Sequence, residues 1–161
     1  MDMGLAVLAA FLREIDGPIN ITTKEDRLRT QKAVYLGQLS GVDLGYRYNW
    51  YVYGPYSPRL TQDYYALTGL TATEQRQINQ AVLNDESRVR LNRIRPIFNV
   101  PFNVALSKAS WFELLSSYHY LRYVNGLDHV AARANLDQLK PHVSPHTDQA
   151  RNVLQSVGIL H

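Results

Sequence analysis

Cysteine is absent from this 161-residue chain, which excludes a disulfide framework, a thiol nucleophile and every thiolate metal site. Long apolar runs are missing as well. The longest, Leu5 to Leu12, has eight residues, whereas a bilayer span needs about 20. Asp2 precedes that run and Arg13 and Glu14 follow it, so it lacks the basic flank of a secretory leader, and a cytoplasmic protein is the expectation. There is no Walker-type phosphate loop, no Gly-x-Gly-x-x-Gly and no nucleophile elbow, so no cofactor is expected and no reaction can be read from a motif. Charge of one sign is also scarce. The net charge is +3, from 17 basic and 14 acidic residues. Residues 1–80 are balanced at eight of each sign, and residues 81–161 hold nine basic against six acidic, with Arg88, Arg90, Arg93 and Arg95 in one cluster. Such a surplus permits nucleic-acid contact without demanding it. Arginine outnumbers lysine 13 to 4; its planar fork suits phosphate or carboxylate partners, and a G+C-rich genome gives the same bias.

What remains is a globular composition, 45% hydrophobic and 19% charged, of a length that suits one domain over residues 1–161. The patterning is mostly helical. Leu5, Leu8, Leu12 and Ile15, with Phe11 beside them, give an amphipathic helix over Asp2–Ile15 that Gly17-Pro18 ends. A second helix spans Glu25–Ser40, capped by Thr22 or Thr23 and stopped by Gly41. Its inner stripe is Leu28, Gln31 or Lys32, Tyr35 and Leu39. Ser57-Pro58, Thr71–Glu74 and Asp128 each read as helix starts, for helices reaching about Leu67, Asn84 and Leu139. In the polar 74–84 helix only Ile78, Ala81 and Val82 are expected to be buried. Asp85–Ile94 suggests a further helix, and Ile97–Val104, with Pro101 inside it, a short edge strand at most. Ser107–Asn125 gives the strongest helix, with Trp111, Leu114, Leu115, Tyr118 and Leu121 in one broad stripe, and Ser144-Pro145 opens a last helix to Gly158. The expected architecture is a mainly α, single compact helical domain with a small β element, open to winged-helix character.

That β element carries the most unusual composition. Seven of the eleven tyrosines lie between Tyr46 and Tyr65. Over Tyr46–Tyr53 the residues alternate, placing Tyr46, Tyr48, Trp50 and Val52 on one face and Arg47, Asn49, Tyr51 and Tyr53 on the other. One set faces the core. The other is either ordinary half-buried strand or a recognition surface, since tyrosine combines apolar area, a polar tip and a small rotamer entropy. Base stacking would need more basic neighbours than Arg47 and Arg59. Gly54-Pro55 reads as a turn, and the helix start at Ser57 aims backbone amides at one point, where an anion or a carboxylate could be held unless capping alone uses them.

The run Gln31-Lys32-Ala33-Val34-Tyr35-Leu36, then Gly45, then Tyr51-Val52-Tyr53-Gly54-Pro55-Tyr56-Ser57-Pro58-Arg59-Leu60 resembles the bacterial and archaeal YwgA-like proteins. More distantly it is similar to the SocA-like antitoxin (Panacea) domain. The Trp111–Leu121 helix and Lys140-Pro141 before a terminal helix resemble the carboxyl half of the YwgA-like group. The resemblance implies a helical fold with some winged-helix character and, for the SocA-like domain, an antitoxin that acts by binding a toxin or another partner. On that reading the protein is a non-enzymatic binding module, and Gln31, Lys32, Tyr35, Tyr51, Tyr53, Gly54, Pro55, Tyr56, Ser57 and Arg59 form its partner-binding region.

Two other readings stay open. A winged-helix DNA-binding regulator would place helix Glu25–Ser40 in the major groove, with Arg27 and Arg29 exposed and Arg88, Arg90, Arg93 and Arg95 on phosphates. An enzyme would have to use Lys32, Tyr53, Tyr56 or His119. His142 and His146 are four apart, but Pro141 and Pro145 make that stretch a turn and not a helix, and no acidic third ligand lies close in sequence, so no metal site is expected. His119 reads as a core histidine. Lys32, on the inner side of its helix, needs Asp43, Asp63 or a loop carbonyl unless it snorkels to the surface.

Overall fold

The computed structural model describes residues 3–160. The chain is mainly helical with one small antiparallel hairpin, in the order α1 (Met3–Ile15), α2 (Lys24–Gln38), β1 (Asn49–Tyr51), β2 (Gly54–Tyr56), α3 (Pro58–Ala66), α4 (Ala72–Gln80), α5 (Asp85–Ile94), α6 (Lys108–Tyr123), α7 (His129–Leu139) and α8 (Thr147–Ser156). Short 3-10 turns over Arg95–Phe98 and Ser144–His146 lead out of α5 and into α8. None of the described helices is long and apolar enough to cross a membrane.

The helix starts follow the side chains that can hold free amides. Thr23 accepts from the Asp26 amide while Asp26 accepts from the Thr23 amide, a closed capping box that starts α2. Thr71 and Glu74 do the same for α4. Ser57, Asn84, Ser107 and Asp128 cap α3, α5, α6 and α7. The centre of the molecule is α6, which buries ten residues from Trp111 to Leu121 and packs most extensively on α2. Trp111 is fully enclosed, and its indole donates to the Ile97 carbonyl at 2.9 Å, so the polar edge of the largest core side chain is satisfied.

Helices α1 and α2 meet at Gly37. A methyl group there would lie 2.9 Å from Ile15 Cδ1 and still closer to the Phe11 ring. Alanine would add about 1 kcal/mol of helix propensity, yet overpacking costs roughly 1–3 kcal/mol. Gly37→Ala is therefore expected to lower the urea midpoint, and an unchanged or raised midpoint would show that Phe11 yields freely.

Several sequence expectations are corrected. The 46–53 segment forms only three residues of strand, because the Gln38 side chain takes the backbone that a ladder would have used. Its Oε1 accepts from the Leu44 and Tyr46 amides at 3.0 and 3.2 Å, and its Nε2 donates to the Tyr46 carbonyl at 3.2 Å. Gly54 and Pro55 are strand residues and not a turn: Trp50 pairs with Pro55 and Tyr51 with Gly54, so Val52 and Tyr53 make the bend. Val52 is accordingly 86% exposed rather than facing the core with Tyr46. Helix α4 stops at Gln80, leaving Val82 exposed and burying Leu83. Residues 99–104 form no strand, and the 3-10 turn precedes α8 where a direct helix start was expected.

Candidate functional site

The hairpin is held to the core by two residues of α2 that lie on its inner face. The Gln31 side-chain amide behaves as a missing strand: Oε1 accepts from the Ser57 amide at 2.9 Å and Nε2 donates to the Ser57 carbonyl at 2.9 Å and to Thr61 Oγ1 at 2.9 Å. One helical step on, Lys32 donates from Nζ to the Pro55 carbonyl and is 1% exposed. A backbone carbonyl is thus its partner, not Asp43 or Asp63. The amides at the start of α3 do not form an anion cradle, because Gln31 occupies that of Ser57 and the Ser57 hydroxyl that of Leu60.

Beneath the hairpin lies a buried charge cluster that the sequence did not reveal as one. Lys140, at the end of α7 and 2% exposed, donates to Glu113 Oε1 of α6 at 2.8 Å, and from the exposed rim of the cluster His142 brings Nε2 to 3.1 Å from Glu113 Oε2. The Lys140 ammonium also stands 5.9 Å from the centre of the Trp50 ring. Burial, with the nearby Lys140 charge, pushes Lys32 down to about 7, while Glu113 pulls the other way. Gly54 has φ +94° and a Cβ there would be 2.5 Å from Ser117 Oγ, so only glycine lets the hairpin sit this close to α6. One signal was available: Glu113 is the only acidic residue of α6, set between Phe112 and Leu114 on a broad apolar face, where a carboxylate needs a buried partner.

Tyr35 points inward, its hydroxyl 2.8 Å from His119 Nδ1 and its ring edge-on to Tyr48 at 5.1 Å. Burial moves the pair apart from ordinary titration, raising the Tyr35 phenol and pushing the His119 imidazole down to about 4, so both are neutral at pH 7. Tyr35 is therefore core and lies away from the surface the sequence suggested for it, and His119 is the core histidine expected.

Around the hairpin tip the side chains open outward. Tyr51 is 45% and Tyr53 40% exposed. On one side lies a cleft of about 340 Å³ walled by Tyr51, Tyr53, Tyr56, Tyr64, Tyr65 and Leu28, with Lys24 and Arg27 supplying its charges. The Tyr56 hydroxyl bonds Thr61, and its ring meets that of Tyr51 edge-on at 5.2 Å. On the other side a cavity of about 350 Å³ reaches Lys32 and Glu113. Lys24, bonded to the Tyr53 hydroxyl, lines both. Arg59 belongs elsewhere, beside Tyr46, Asp63 and Asp43 at a separate depression, with its guanidinium 5.8 Å from the Tyr46 ring centre. Tyr53 and Tyr56 share the first of these hollows and Lys32 and Tyr53 the second, while His119 lies in the core beside Tyr35.

The six arginines considered for nucleic acid are scattered and largely engaged. Arg27 donates to the Ile21 carbonyl at 3.2 Å, and Arg29 pairs with Asp16 at 3.1 Å. Arg88 pairs with Asp85, Arg90 with Glu86 and Arg95 with Glu14; Arg93 is exposed. Helix α2 buries every residue from Thr30 to Gly37, so only its first two turns are open. Among the described residues no group of three His, Cys, Asp or Glu side chains could hold a metal ion.

Fold and site together define a helical domain with a tyrosine-walled cleft beside a rigidly held hairpin. In comparison with known proteins, no family model matches the chain, and no curated protein and no solved structure is significantly similar to it.

Proposed function

We propose that the protein is a non-enzymatic binding module that docks a partner protein at the hairpin tip and the adjoining tyrosine cleft. The observation that carries this reading is the contrast within the seven residues from Tyr51 to Ser57. Gly54, Pro55 and Ser57 are buried and hydrogen-bonded into the core, while Tyr51, Val52 and Tyr53 beside them stand in solvent. Exposed tyrosines on a backbone fixed this firmly contribute contact area with little ordering entropy, the property of residues that dominate protein interfaces. The cleft walls fit an aromatic or branched apolar side chain, and Lys24 and Arg27 at its rim favour acidic neighbours on the same segment. The resemblance of residues 28–60 to the SocA-like domain adds the expectation that the partner is a toxin or a regulated protein. A winged-helix DNA reader gains less support, because the arginines are dispersed over α2, α5 and the turn after it and most already have partners in the chain.

Native-level expression followed by affinity capture tests the proposal. Wild-type protein is expected to retain one partner in a fixed ratio, and Val52→Glu, a change in a side chain that is 86% exposed, is expected to lose it while unfolding at the wild-type temperature. Arg59→Glu, at the separate depression, is expected to keep it. Retention by Val52→Glu, or no partner with wild type, would defeat the proposal.

A further inference from the structure

The cavity on the far side of the Lys24–Tyr53 bridge contains a cation with unmatched donors. Lys32 reaches it from α2 with 1% of its surface exposed. An ammonium offers three N–H groups, and among the described residues the only acceptor it meets is the Pro55 carbonyl. Glu113 also lines the cavity, but its two oxygens are engaged by Lys140 and His142. The buried cluster therefore holds two lysines against one carboxylate. The remaining charges at the cavity are Lys24 and Glu25, both on the exposed first turn of α2, and the other walls are Leu28, Tyr53, Ala109 and Ser110. A compact anion would supply the missing acceptor and the missing charge, and the apolar walls suit an aliphatic stem behind it.

We propose that this cavity binds a carboxylate carried on a short apolar stem, with the carboxylate oxygens at Lys32 Nζ and the stem against Leu28, Tyr53 and Ala109. Burial holds the Lys32 amine down at about 7, so binding draws a proton onto it from solvent, and affinity falls as pH rises through and beyond 7. A free short-chain acid and the carboxyl end of a polypeptide present the same group. The site shares the Tyr53 ring with the docking face but takes its charge from Lys32, which that face does not use, so the two proposals fail separately.

Isothermal titration of the full chain with sodium pentanoate tests it, with pentanamide as the uncharged control and acetyl-alanyl-leucine as a chain end. Pentanoate is expected to bind at pH 6.5, to weaken about tenfold from pH 7.5 to 8.5, and to take up protons, visible as a heat that changes with the ionisation enthalpy of the buffer. Pentanamide is expected to give no binding. Lys32→Met is expected to abolish the signal; Ala109→Leu, which narrows the cavity and leaves the lysine in place, is expected to weaken it at least tenfold. Val52→Glu is expected to stay within threefold of wild type, which separates this site from the docking face. Tighter binding of acetyl-alanyl-leucine than of pentanoate assigns the site to chain ends, and the reverse order assigns it to free acids. Absence of binding by both acids, persistence in Lys32→Met, or an affinity constant from pH 6.5 to 8.5 would overturn the proposal.

Discussion

Glu113→Gln is expected to lower the unfolding free energy by about 3–5 kcal/mol, because among the described residues it removes the only carboxylate paired with a buried lysine. For a domain of this size that is a fall of about 10 °C in the unfolding midpoint. Glutamine keeps the volume and an acceptor oxygen, so the loss measures charge and not packing. The double variant Glu113→Gln, Lys140→Met removes both members of the pair and is expected to recover a large part of the loss, since an apolar replacement of a buried ion pair is often close to neutral. A single variant within 1 kcal/mol of wild type in chemical denaturation would show that water already reaches Lys140.

Lys32 gives the second large effect, and its sign follows from proton counting. Folding depresses its pKa from 10.5 to about 7, so between these values the unfolded chain binds a proton that the folded chain does not. Stability therefore rises with pH across this window, and the whole penalty is present below it, where both states are protonated. Measured against Lys32→Met at each pH, wild type is expected to gain roughly 2–3 kcal/mol from pH 6.5 to 9. The comparison cancels the other titrating groups. Loss of the Pro55 carbonyl's donor shifts the variant by a constant and leaves the slope untouched. Parallel curves for the two proteins would mean that Lys32 remains fully charged when folded.

The helical frame was legible because its signals are local. Caps at Thr23, Ser57, Thr71 and Asp128 and the stripe on α6 depend on neighbours within a turn or two. The hairpin was misplaced by two residues because its register depends on Gln38 and Gln31, helix side chains that replace strand hydrogen bonds from 8 and 26 positions away. Alternation alone cannot show that a glutamine has taken a strand's role. The candidate site was half visible. Lys32, Gln31 and the tyrosines stood out by type and position. Glu113 and Lys140, 27 residues apart, did not, since what brings them together is the packing of α7 against α6. Tyr35 and Arg59 were grouped with the hairpin by sequence proximity, and the turn of each helix carries them elsewhere.

The Gln31 clamp also governs how fast anything can arrive at the hairpin. An amide that grips both backbone groups of Ser57 ties the base of the hairpin to α2, the helix packed most extensively on the central α6, so the hairpin meets a visitor with its backbone already set. Encounters must succeed by collision in the correct orientation, with no slow rearrangement step after first touch. Association should then show a single exponential phase whose rate climbs linearly with concentration and does not level off.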